Sequence, residues 1–434
     1  MTATSPDTIT SQQFYLADAL DFRRRALLWA DAWSLVCYLD SNEDRQYRYQ
    51  SYAALLAVGE DRQLVQTDAR DGFANLRRFA DAEPGWLFTL LGYDLKNDVE
   101  ELRSSNFDAT EMPVLHVFRA DVVFEFSDKA VRISSSGELP ERIYREVLTH
   151  PFEVPQIQFG LGQLQPRVSE AVYLDIVQRI REHIAAGDLY EMNYCLEFFA
   201  EQYRTDPLFL FLQLNATARA PFGAYYKIQD RYLLSASPER FLKKEGTRLI
   251  SQPIKGTAPR GRNPREDAHL RDALFRSGKD RAENVMIVDL VRNDLARSCR
   301  PGSVRVEELF GIYSFNTVHQ MISTVTGVLR PEVHWVDALR NAFPMGSMTG
   351  APKVMSMELI EHYEATRRGA YSGAVGYVSP AGDFDFNVVI RSLVYNAATE
   401  YLSTHVGGAI VYDSEPEREY AECLLKLRTV ASIV

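Results

Sequence analysis

The sequence contains few cysteines and no long hydrophobic segment. Its 434 residues include four cysteines, and none has the paired spacing of a metal or redox site: Cys37, Cys195, Cys299 and Cys423. Reduced thiols of this kind are typical of a cytoplasmic protein. No apolar run approaches the roughly 20 residues of a membrane-spanning helix, and the start MTATSPDTITSQQF lacks the basic and apolar parts of a secretion signal. The sequence therefore predicts a cytoplasmic protein that does not enter a membrane.

The chain also lacks an excess of basic residues. Its 59 acidic residues outnumber its 48 lysines and arginines, which gives a formal net charge of -11. Such a charge argues against a nucleic-acid-binding surface but still permits a local cationic pocket. Internal repeats and low-complexity tracts are missing too, and 46% hydrophobic residues is an ordinary value for a globular protein. The length is sufficient for two domains, or for one unusually large domain with a second core.

Proline and glycine concentrate in the stretch HPFEVPQIQFGLGQLQPRVSE, at residues 150–170. We therefore predict a boundary between an N-terminal domain of residues 1–160 and a C-terminal domain of residues 161–434. After this boundary, Ser169 can cap a helix that ends at Gly187, and Asp206 followed by Pro207 can begin another. Alternating strands between such helices, as in FGAYYKIQDRYLLSAS, favour an α+β fold with antiparallel sheets.

A predicted hairpin, SPERFLKKEGTRLISQPIK, carries the first candidate chemical groups. If it turns around Glu245 and Gly246, Glu239 and Lys255 lie roughly opposite each other on one face, with Cβ atoms about 5 Å apart. The pair could be a surface ion pair worth about 0.2–1 kcal/mol. It could instead be a general acid and an amine nucleophile, which can work together if both are buried and share protons. Electrostatics alone leaves both interpretations open.

Two further segments place carboxylates on helix faces. In RAENVMIVDLVRND, Glu283 lies on an apolar stripe, where a carboxylate needs an ion-pair partner or a bound cation. In EREYAECLLKL, Glu419, Glu422 and Lys426 share one face. These groups could form ordinary ion pairs. Together they could also hold Mg²⁺, which needs few protein oxygens when an anionic substrate completes its shell.

Several motifs occur in an order that resembles the chorismate-utilising enzymes. They are SPERF, PIKGTAPRG, KDRAENVMIVDLVRNDLAR, FPMGSMTGAPK, IRSL, GGAIV and EREYAECLLK, and the match covers about residues 165–430. The resemblance implies an anthranilate synthase-like fold, in which antiparallel sheets flanked by helices form a two-layered sandwich. It also implies a Mg²⁺-dependent catalytic domain in which Glu283 and Glu422 bind the metal, with Glu419 holding the ion directly or through water.

Lys255 decides which branch of the family the sequence resembles. Anthranilate, isochorismate and salicylate synthases usually carry alanine at this position, whereas PIKGT is the pattern of the aminodeoxychorismate synthases. That resemblance implies that the Lys255 amine adds to C2 of chorismate as the C4 hydroxyl leaves, and that ammonia then enters at C4 and expels the lysine. The product is 4-amino-4-deoxychorismate, a precursor of para-aminobenzoate and folate. Glu239 is the implied general acid, because hydroxide is a poor leaving group.

The resemblance also implies a set of substrate contacts. The residues expected around the substrate are Thr257, His319, Tyr377, Arg391, Lys426 and the backbone amides of Gly407, Gly408 and Ala409. Glu191, in GDLYEMNY, departs from the family, since amine-using members commonly carry glutamine there and water-using members carry lysine. A carboxylate at this position could act as a base, orient ammonia, or have no role.

The ammonia needs a source. No cysteine lies in a Gly-x-Cys-x-Gly nucleophile motif, so we expect a separate glutamine amidotransferase subunit to supply ammonia for the amination of chorismate. Two other functions stay open. The chain could be an anthranilate synthase component I, a group whose N-terminal half carries a feedback tryptophan site. It could also be a chorismate-fold protein that binds a ligand in a regulatory role without catalysis.

Overall fold

The computed structural model describes residues 9–42, 48–151, 163–316 and 318–434. Its strands are, in chain order, β1 Ile9–Tyr15, β2 Leu35–Asp40, β3 Ala54–Gly59, β4 Gln63–Gln66, β5 Leu87–Leu91, β6 Leu115–Arg119, β7 Val122–Phe126, β8 Ala130–Ser136, β9 Gln165–Pro166, β10 Glu191–Ala200, β11 Phe222–Ile228, β12 Arg231–Ser237, β13 Arg240–Glu245, β14 Arg248–Gln252, β15 Ile254–Pro259, β16 Arg305–Ser314, β17 Val318–Val328, β18 Gly350–Ala351, β19 Ala374–Val378, β20 Phe384–Val388, β21 Ser392–Asn396 and β22 Tyr401–Ile410. Its α-helices are α1 Ala19–Ala30, α2 Gly72–Ala82, α3 Lys96–Val99, α4 Pro140–Thr149, α5 Glu170–Ala186, α6 Pro207–Ala218, α7 Pro264–Arg276, α8 Gly278–Ala296, α9 Trp335–Ala342, α10 Lys353–Tyr363 and α11 Pro416–Ala431.

The strands form two antiparallel sheets that face each other. The larger sheet has the order β1-β8-β7-β3-β2-β11-β12-β21-β22-β10-β18, with β9 beside β10. The smaller has the order β15-β17-β14-β13-β20-β19-β5-β6-β4, with β16 beside β17. Between them lies an apolar layer that includes Leu35 and Leu55 of the larger sheet and Phe88 and Val375 of the smaller. This arrangement confirms the predicted α+β fold, a two-layered sandwich of antiparallel sheets.

Helices cover the outer faces of both sheets. Phe22 of α1 and Phe211 of α6 belong to the apolar cluster on the larger sheet. Leu76 of α2 and Ile287 of α8 belong to the cluster on the smaller one. Helices α5 and α11 pack over β10 and β22. In the described part of the chain, no helix is both long and apolar enough to cross a membrane.

The predicted domain boundary near residue 160 lies outside the described residues, and the division stays a prediction. Strands from both sides of this boundary belong to each sheet. In the larger sheet β2 pairs with β11, and in the smaller sheet β5 pairs with β19. The N-terminal strands therefore extend the same sheets that carry the C-terminal motifs.

Two predicted helix starts are confirmed, because the side chains expected to cap them do so. Ser169 accepts a hydrogen bond from a backbone N–H in the first turn of α5, and this helix ends before Gly187, whose φ of +89° suits a residue without a Cβ. Asp206 accepts a hydrogen bond of 2.8 Å from a backbone N–H in the first turn of α6. The helices that flank β10 thus begin where the sequence predicts.

Candidate active site

Lys255 is buried near the start of β15, where it meets a strand of the other sheet. Its Nζ forms an ion pair with Glu191, the first residue of β10. Lys255 is 9% exposed and Glu191 is 1% exposed. Pairing of Glu191 with Ala351 of β18 holds the backbone of the glutamate in place. The carboxylate that departs from the family pattern is therefore the direct partner of the lysine.

Glu239 is buried immediately before β13. Its carboxyl group interacts electrostatically with the Lys255 cation. The predicted turn near Gly246 is correct, but the predicted direct pairing of Glu239 with Lys255 is wrong. Arg240 pairs with Gln252, and Lys255 lies beyond Pro253 on β15, which pairs with β17 instead of β13. Proline has no N–H to donate, so the pairing with β13 ends there, while β14 and β15 both pair with β17.

The two buried groups have pKa values that suit different tasks. Burial raises the pKa of Glu239 to about 7, although the Ser347 hydroxyl and the Lys255 cation offset part of that rise. A carboxylic acid that stays protonated near neutral pH can donate a proton. Burial alone would lower the pKa of Lys255, but the ion pair with Glu191 outweighs it and leaves the pKa above its ordinary value. Lys255 is thus an ammonium at rest and must lose a proton before its nitrogen can attack.

The three predicted metal-binding carboxylates approach the same region from two helices. Glu283 lies on α8, with Oε1 3.8 Å from the Nζ of Lys279. Glu419 and Glu422 lie on α11, and the charge of Lys279 acts on both of them. The Nζ of Lys426 pairs with Glu422 at 2.7 Å. Lys279, which the motifs did not single out, lies one helical turn before Glu283, and its charge acts on the carboxylates of both helices.

The chemistry of these donors fits a hard divalent cation. Among the described residues, no three carboxylate, imidazole or thiolate groups converge closely enough to hold a cation by themselves. Mg²⁺, however, commonly uses one or two carboxylates and takes its other oxygens from water and substrate. Gly408 lies directly beside two of these carboxylates, since a Cβ there would be in ordinary contact, 3.4 Å from Oε2 of Glu419 and 3.8 Å from Oε1 of Glu422.

Gly407 and Gly408 of β22 serve different purposes. A Cβ on Gly407 would lie 2.4 Å from the carbonyl oxygen of Tyr194, so this glycine permits the close pairing of β22 with β10. Gly408 instead faces the carboxylates of α11. Lys426 donates a hydrogen bond of 2.7 Å to the carbonyl oxygen of Gly407, which ties α11 to the strand. Ala409 continues the strand, and its amide remains a predicted substrate contact.

The structure separates two residues that were predicted to bind substrate carboxylates. Arg391 is half-buried, has a left-handed backbone with φ of +52°, and interacts electrostatically with Glu239. Within the described ranges its guanidinium has no hydrogen-bond or ion-pair partner, so it is available for an anion. Tyr377 instead packs against Tyr52 in the apolar layer between the sheets. Tyr371, a nearby tyrosine that the motifs did not single out, contacts the Sγ of Cys195 and stacks on the ring of His405.

Two other predicted contacts lie on β15 and its neighbour β17. Thr257 is exposed two positions beyond Lys255. His319 is buried, and both of its ring nitrogens have partners: Nδ1 lies 2.8 Å from the Ser314 hydroxyl and Nε2 lies 3.0 Å from Oδ1 of Asp267. His319 therefore links β17 to α7, and its contact with substrate stays a prediction.

Asn284 positions the lysine, although the sequence did not single it out. Its amide donates a hydrogen bond of 3.4 Å to the carbonyl oxygen of Lys255, and its Oδ1 accepts one of 2.6 Å from the Ser323 hydroxyl. Gly256 has a φ of +96°, and a Cβ there would lie 3.0 Å from the Cβ of Asp280. These contacts hold β15 closely against α8, so the lysine has a defined position relative to Glu283.

Known proteins similar to this chain cover most of its length. Aminodeoxychorismate synthase component 1 from Klebsiella aerogenes is 38% identical over 361 residues, which span 80% of this chain and 76% of that protein. Aminodeoxychorismate synthase component 1 from Escherichia coli (strain K12) is 38% identical over 349 residues, which also span 80% of this chain and 76% of that protein. Anthranilate synthase component 1 from Thermus thermophilus is 34% identical over 374 residues, or 83% of this chain and 80% of that protein.

Solved structures confirm the predicted anthranilate synthase-like fold. Anthranilate synthase component I from Streptococcus pneumoniae TIGR4 matches with a TM-score of 0.76 and 24% identity over 89% of this chain and 94% of that one. The menaquinone-specific isochorismate synthase from Escherichia coli matches with a TM-score of 0.76 and 17% identity over 98% of this chain and 94% of that one. The sequence profile described as chorismate binding enzyme matches residues 34–432, and this chain belongs to that family.

Proposed function

We propose that the protein converts chorismate and ammonia to 4-amino-4-deoxychorismate. The observation that carries this proposal is the burial of two groups whose charges interact. They are the amine of Lys255 and Glu239, a carboxylic acid whose pKa of about 7 keeps much of it protonated at neutral pH. A nucleophile and an acid are the two groups that displacement of a hydroxyl requires. Similarity to aminodeoxychorismate synthases in two bacteria supports the same reaction.

The lysine and the acid divide the reaction between them. The Lys255 nitrogen forms a bond to C2 of chorismate, the ring double bond shifts, and the C4–O bond breaks as Glu239 donates its proton to the departing oxygen. Ammonia then forms a bond to C4, the double bond shifts back, and the bond between C2 and the lysine nitrogen breaks. The proton lost by the new C4 ammonium restores Glu239. The net change is chorismate and ammonia to aminodeoxychorismate and water.

Substrate carboxylates would be bound by cations of this chain and by Mg²⁺. Arg391 and Lys426 supply positive charge, and Gly408, which has no side chain, would let a carboxylate approach the backbone amides. We propose that Glu283 and Glu422 would hold Mg²⁺, which would supply a positive charge for a substrate carboxylate when bound. Glu419 would hold the ion directly or through water.

The ammonia would come from a separate subunit. The relatives from Klebsiella aerogenes and Escherichia coli are described as component 1, which supports the existence of a second component. We propose that this partner is a glutamine amidotransferase and that free ammonia replaces it in vitro. Turnover with ammonium chloride should therefore need no partner, whereas turnover with glutamine should need one.

Product analysis tests the proposed reaction. The purified protein is incubated with chorismate, ammonium chloride and Mg²⁺, and the products are identified by mass spectrometry. We expect aminodeoxychorismate with the enolpyruvyl group retained and no release of pyruvate. Anthranilate together with pyruvate would establish the second candidate function, that of an anthranilate synthase. This candidate is tested because the chain is 34% identical to the anthranilate synthase component 1 of Thermus thermophilus. Absence of any turnover would favour a binding protein without catalysis.

Removal of the divalent cation should stop turnover. We expect an excess of EDTA to abolish activity and added Mg²⁺ to restore it. Glu422→Gln should raise the Mg²⁺ concentration for half-maximal rate about tenfold, because one ligand charge is lost. Glu417→Gln is the matched control, since Glu417 is exposed on the same helix. Equal Mg²⁺ requirements in both variants would contradict the assignment of Glu422.

Gly408→Ala should weaken substrate binding without unfolding the protein. The new methyl group would make ordinary contacts at 3.4 Å or more but would occupy the space between the carboxylates and Lys426. We expect the KM for chorismate to rise about tenfold, equivalent to about 1.4 kcal/mol, with Tm changed by less than about 2 °C.

Gly407→Ala gives the opposite result and serves as the comparison. Its Cβ would overlap the backbone of β10, so we expect Tm to fall by several degrees. An equal fall in Tm in the two variants, together with an unchanged KM for chorismate in Gly408→Ala, would contradict the proposal that substrate binds beside Gly408.

A further inference from the structure

Glu191 is a buried carboxylate with one oxygen engaged and one without a partner. Its Oε1 is hydrogen-bonded to the Nζ of Lys255. Its Oε2 is buried and has no hydrogen-bond partner in the part of the chain that the structure describes. A buried carboxylate anion is stabilised by hydrogen bonds to both oxygens. Among the described residues, Glu191 therefore lacks the hydrogen bonds to its second oxygen that a structural buried carboxylate has.

Glu197, on the same strand, has the environment of a structural carboxylate. It is 3% exposed, yet both oxygens have donors. Oε1 accepts hydrogen bonds of 2.7 Å from Tyr401 and from Ser403. Oε2 accepts one of 3.0 Å from Arg167. Two glutamates of β10 thus have similar burial but different hydrogen bonding, and the incompletely bonded one is in contact with the lysine.

We propose that Glu191 accepts the proton that Lys255 must lose before it attacks, so that the two residues act as one proton-sharing pair. The inference rests on the proposed function, because it assigns the base of its first step. One N–H bond of Lys255 breaks, an O–H bond forms on Oε1 of Glu191, and the electron pair stays on nitrogen for the new bond to carbon. When the lysine is later expelled as the neutral amine, Glu191 returns the proton.

The other charged groups around Lys255 do not offer this route. Glu239 faces it from the segment before β13, Glu283 from α8 and Glu422 from α11. Among these described carboxylates, Glu191 is the one paired with the Nζ of Lys255. Transfer within the pair also replaces two buried charges by two neutral groups without exchange with solvent. Glu191 is therefore the carboxylate placed to take the proton.

The ratio of wild-type to Glu191→Gln activity across pH tests the proposal. In the variant, Lys255 must release its proton to solvent, so its rate should rise about tenfold per pH unit until the lysine is neutral. Below the pKa of the lysine in the variant, the ratio of wild-type to variant kcat/KM should therefore grow about tenfold for each unit that the pH falls. Using the ratio removes pH effects common to both proteins, such as titration of Glu239.

A structural role for Glu191 predicts a different profile. Loss of positioning alone would lower the rate by one factor at every pH, and a constant ratio would overturn the proposal. Glu197→Gln is the matched control, a buried glutamate of the same strand whose replacement should give such a constant ratio. Tm measurements show whether each variant is folded at the assay temperature.

A second measurement does not depend on turnover. The rate at which acetic anhydride modifies Lys255 is followed by peptide mass spectrometry in the absence of substrate. We expect Lys255 of Glu191→Gln to react more than tenfold faster than wild type at pH 8, because its counter-charge is gone and more of it is neutral. Identical labelling curves would overturn the proton-sharing pair. A wild-type protein that makes no aminodeoxychorismate would instead refute the proposed function, whatever the labelling shows.

Discussion

Lys255→Ala should abolish the amination of chorismate. Without the amine, no bond to C2 can form, and we expect kcat/KM to fall by more than about 10³-fold, or about 4 kcal/mol of lost transition-state stabilisation. The measurement is the initial rate of aminodeoxychorismate formation with ammonium chloride and Mg²⁺. Lys244→Ala is the control, since this lysine of β13 pairs with Asp383 and should retain activity when replaced. An unchanged rate in Lys255→Ala would refute the covalent role.

Loss of folding is a separate outcome that a second variant resolves. Lys255→Ala leaves Glu191 as a buried carboxylate without its cation, and breaking a buried pair in this way costs about 3–5 kcal/mol of stability. The double variant Lys255→Ala/Glu191→Gln removes that charge as well. We expect it to recover most of the lost stability and none of the activity, which would assign the loss to the missing nucleophile.

Glu239→Gln should give the second largest loss. An amide cannot donate a proton to the departing hydroxyl, and general acid catalysis typically contributes about 10²–10⁴-fold, or about 3–5 kcal/mol. We expect kcat to fall by this factor, with little change in the KM for chorismate. Glu245→Gln at the exposed end of β13 is the control. Activity within about threefold of wild type in Glu239→Gln would assign the acid elsewhere.

The pH dependence of the wild type provides an independent check on Glu239. Its acidic form is the active one, and burial raises its pKa to about 7. As pH rises through this value the proton is lost, so kcat/KM should fall about tenfold per unit above it. The residual rate of Glu239→Gln should lack this decline.

The local features of the fold could be predicted from neighbouring residues. Ser169 and Asp206 mark helix starts because their side chains satisfy N–H groups of the same helix. In α5, Val172, Ile176, Ile180 and Ile184 recur every four residues, a spacing that indicates a buried helix face but does not locate it correctly. Val172 fits the apolar period but is 46% exposed, whereas Tyr173 is fully buried against β10. Which side of a helix is covered depends on the sheet beneath it, and helical periodicity alone does not contain that information.

The candidate site combines residues that motifs could identify with contacts that they could not. The pattern PIKGT singled out Lys255, but its ion pair joins β15 of one sheet to Glu191 in β10 of the other. Such a contact depends on how the two sheets pack. Tyr371 and Tyr377 lie in one short segment, GAYSGAVGY, but they pack in different apolar clusters. The spacing of the two rings along the chain does not contain that information.

Detection of a covalent adduct tests the central claim most directly. The protein is mixed with chorismate and Mg²⁺ without ammonia, quenched within seconds, and digested for mass spectrometry. The mechanism predicts that the peptide containing Lys255 carries the mass of chorismate less one water, and that added ammonia converts this adduct to aminodeoxychorismate. Formation of aminodeoxychorismate at the full rate, with Lys255 unmodified at every time point, would contradict it.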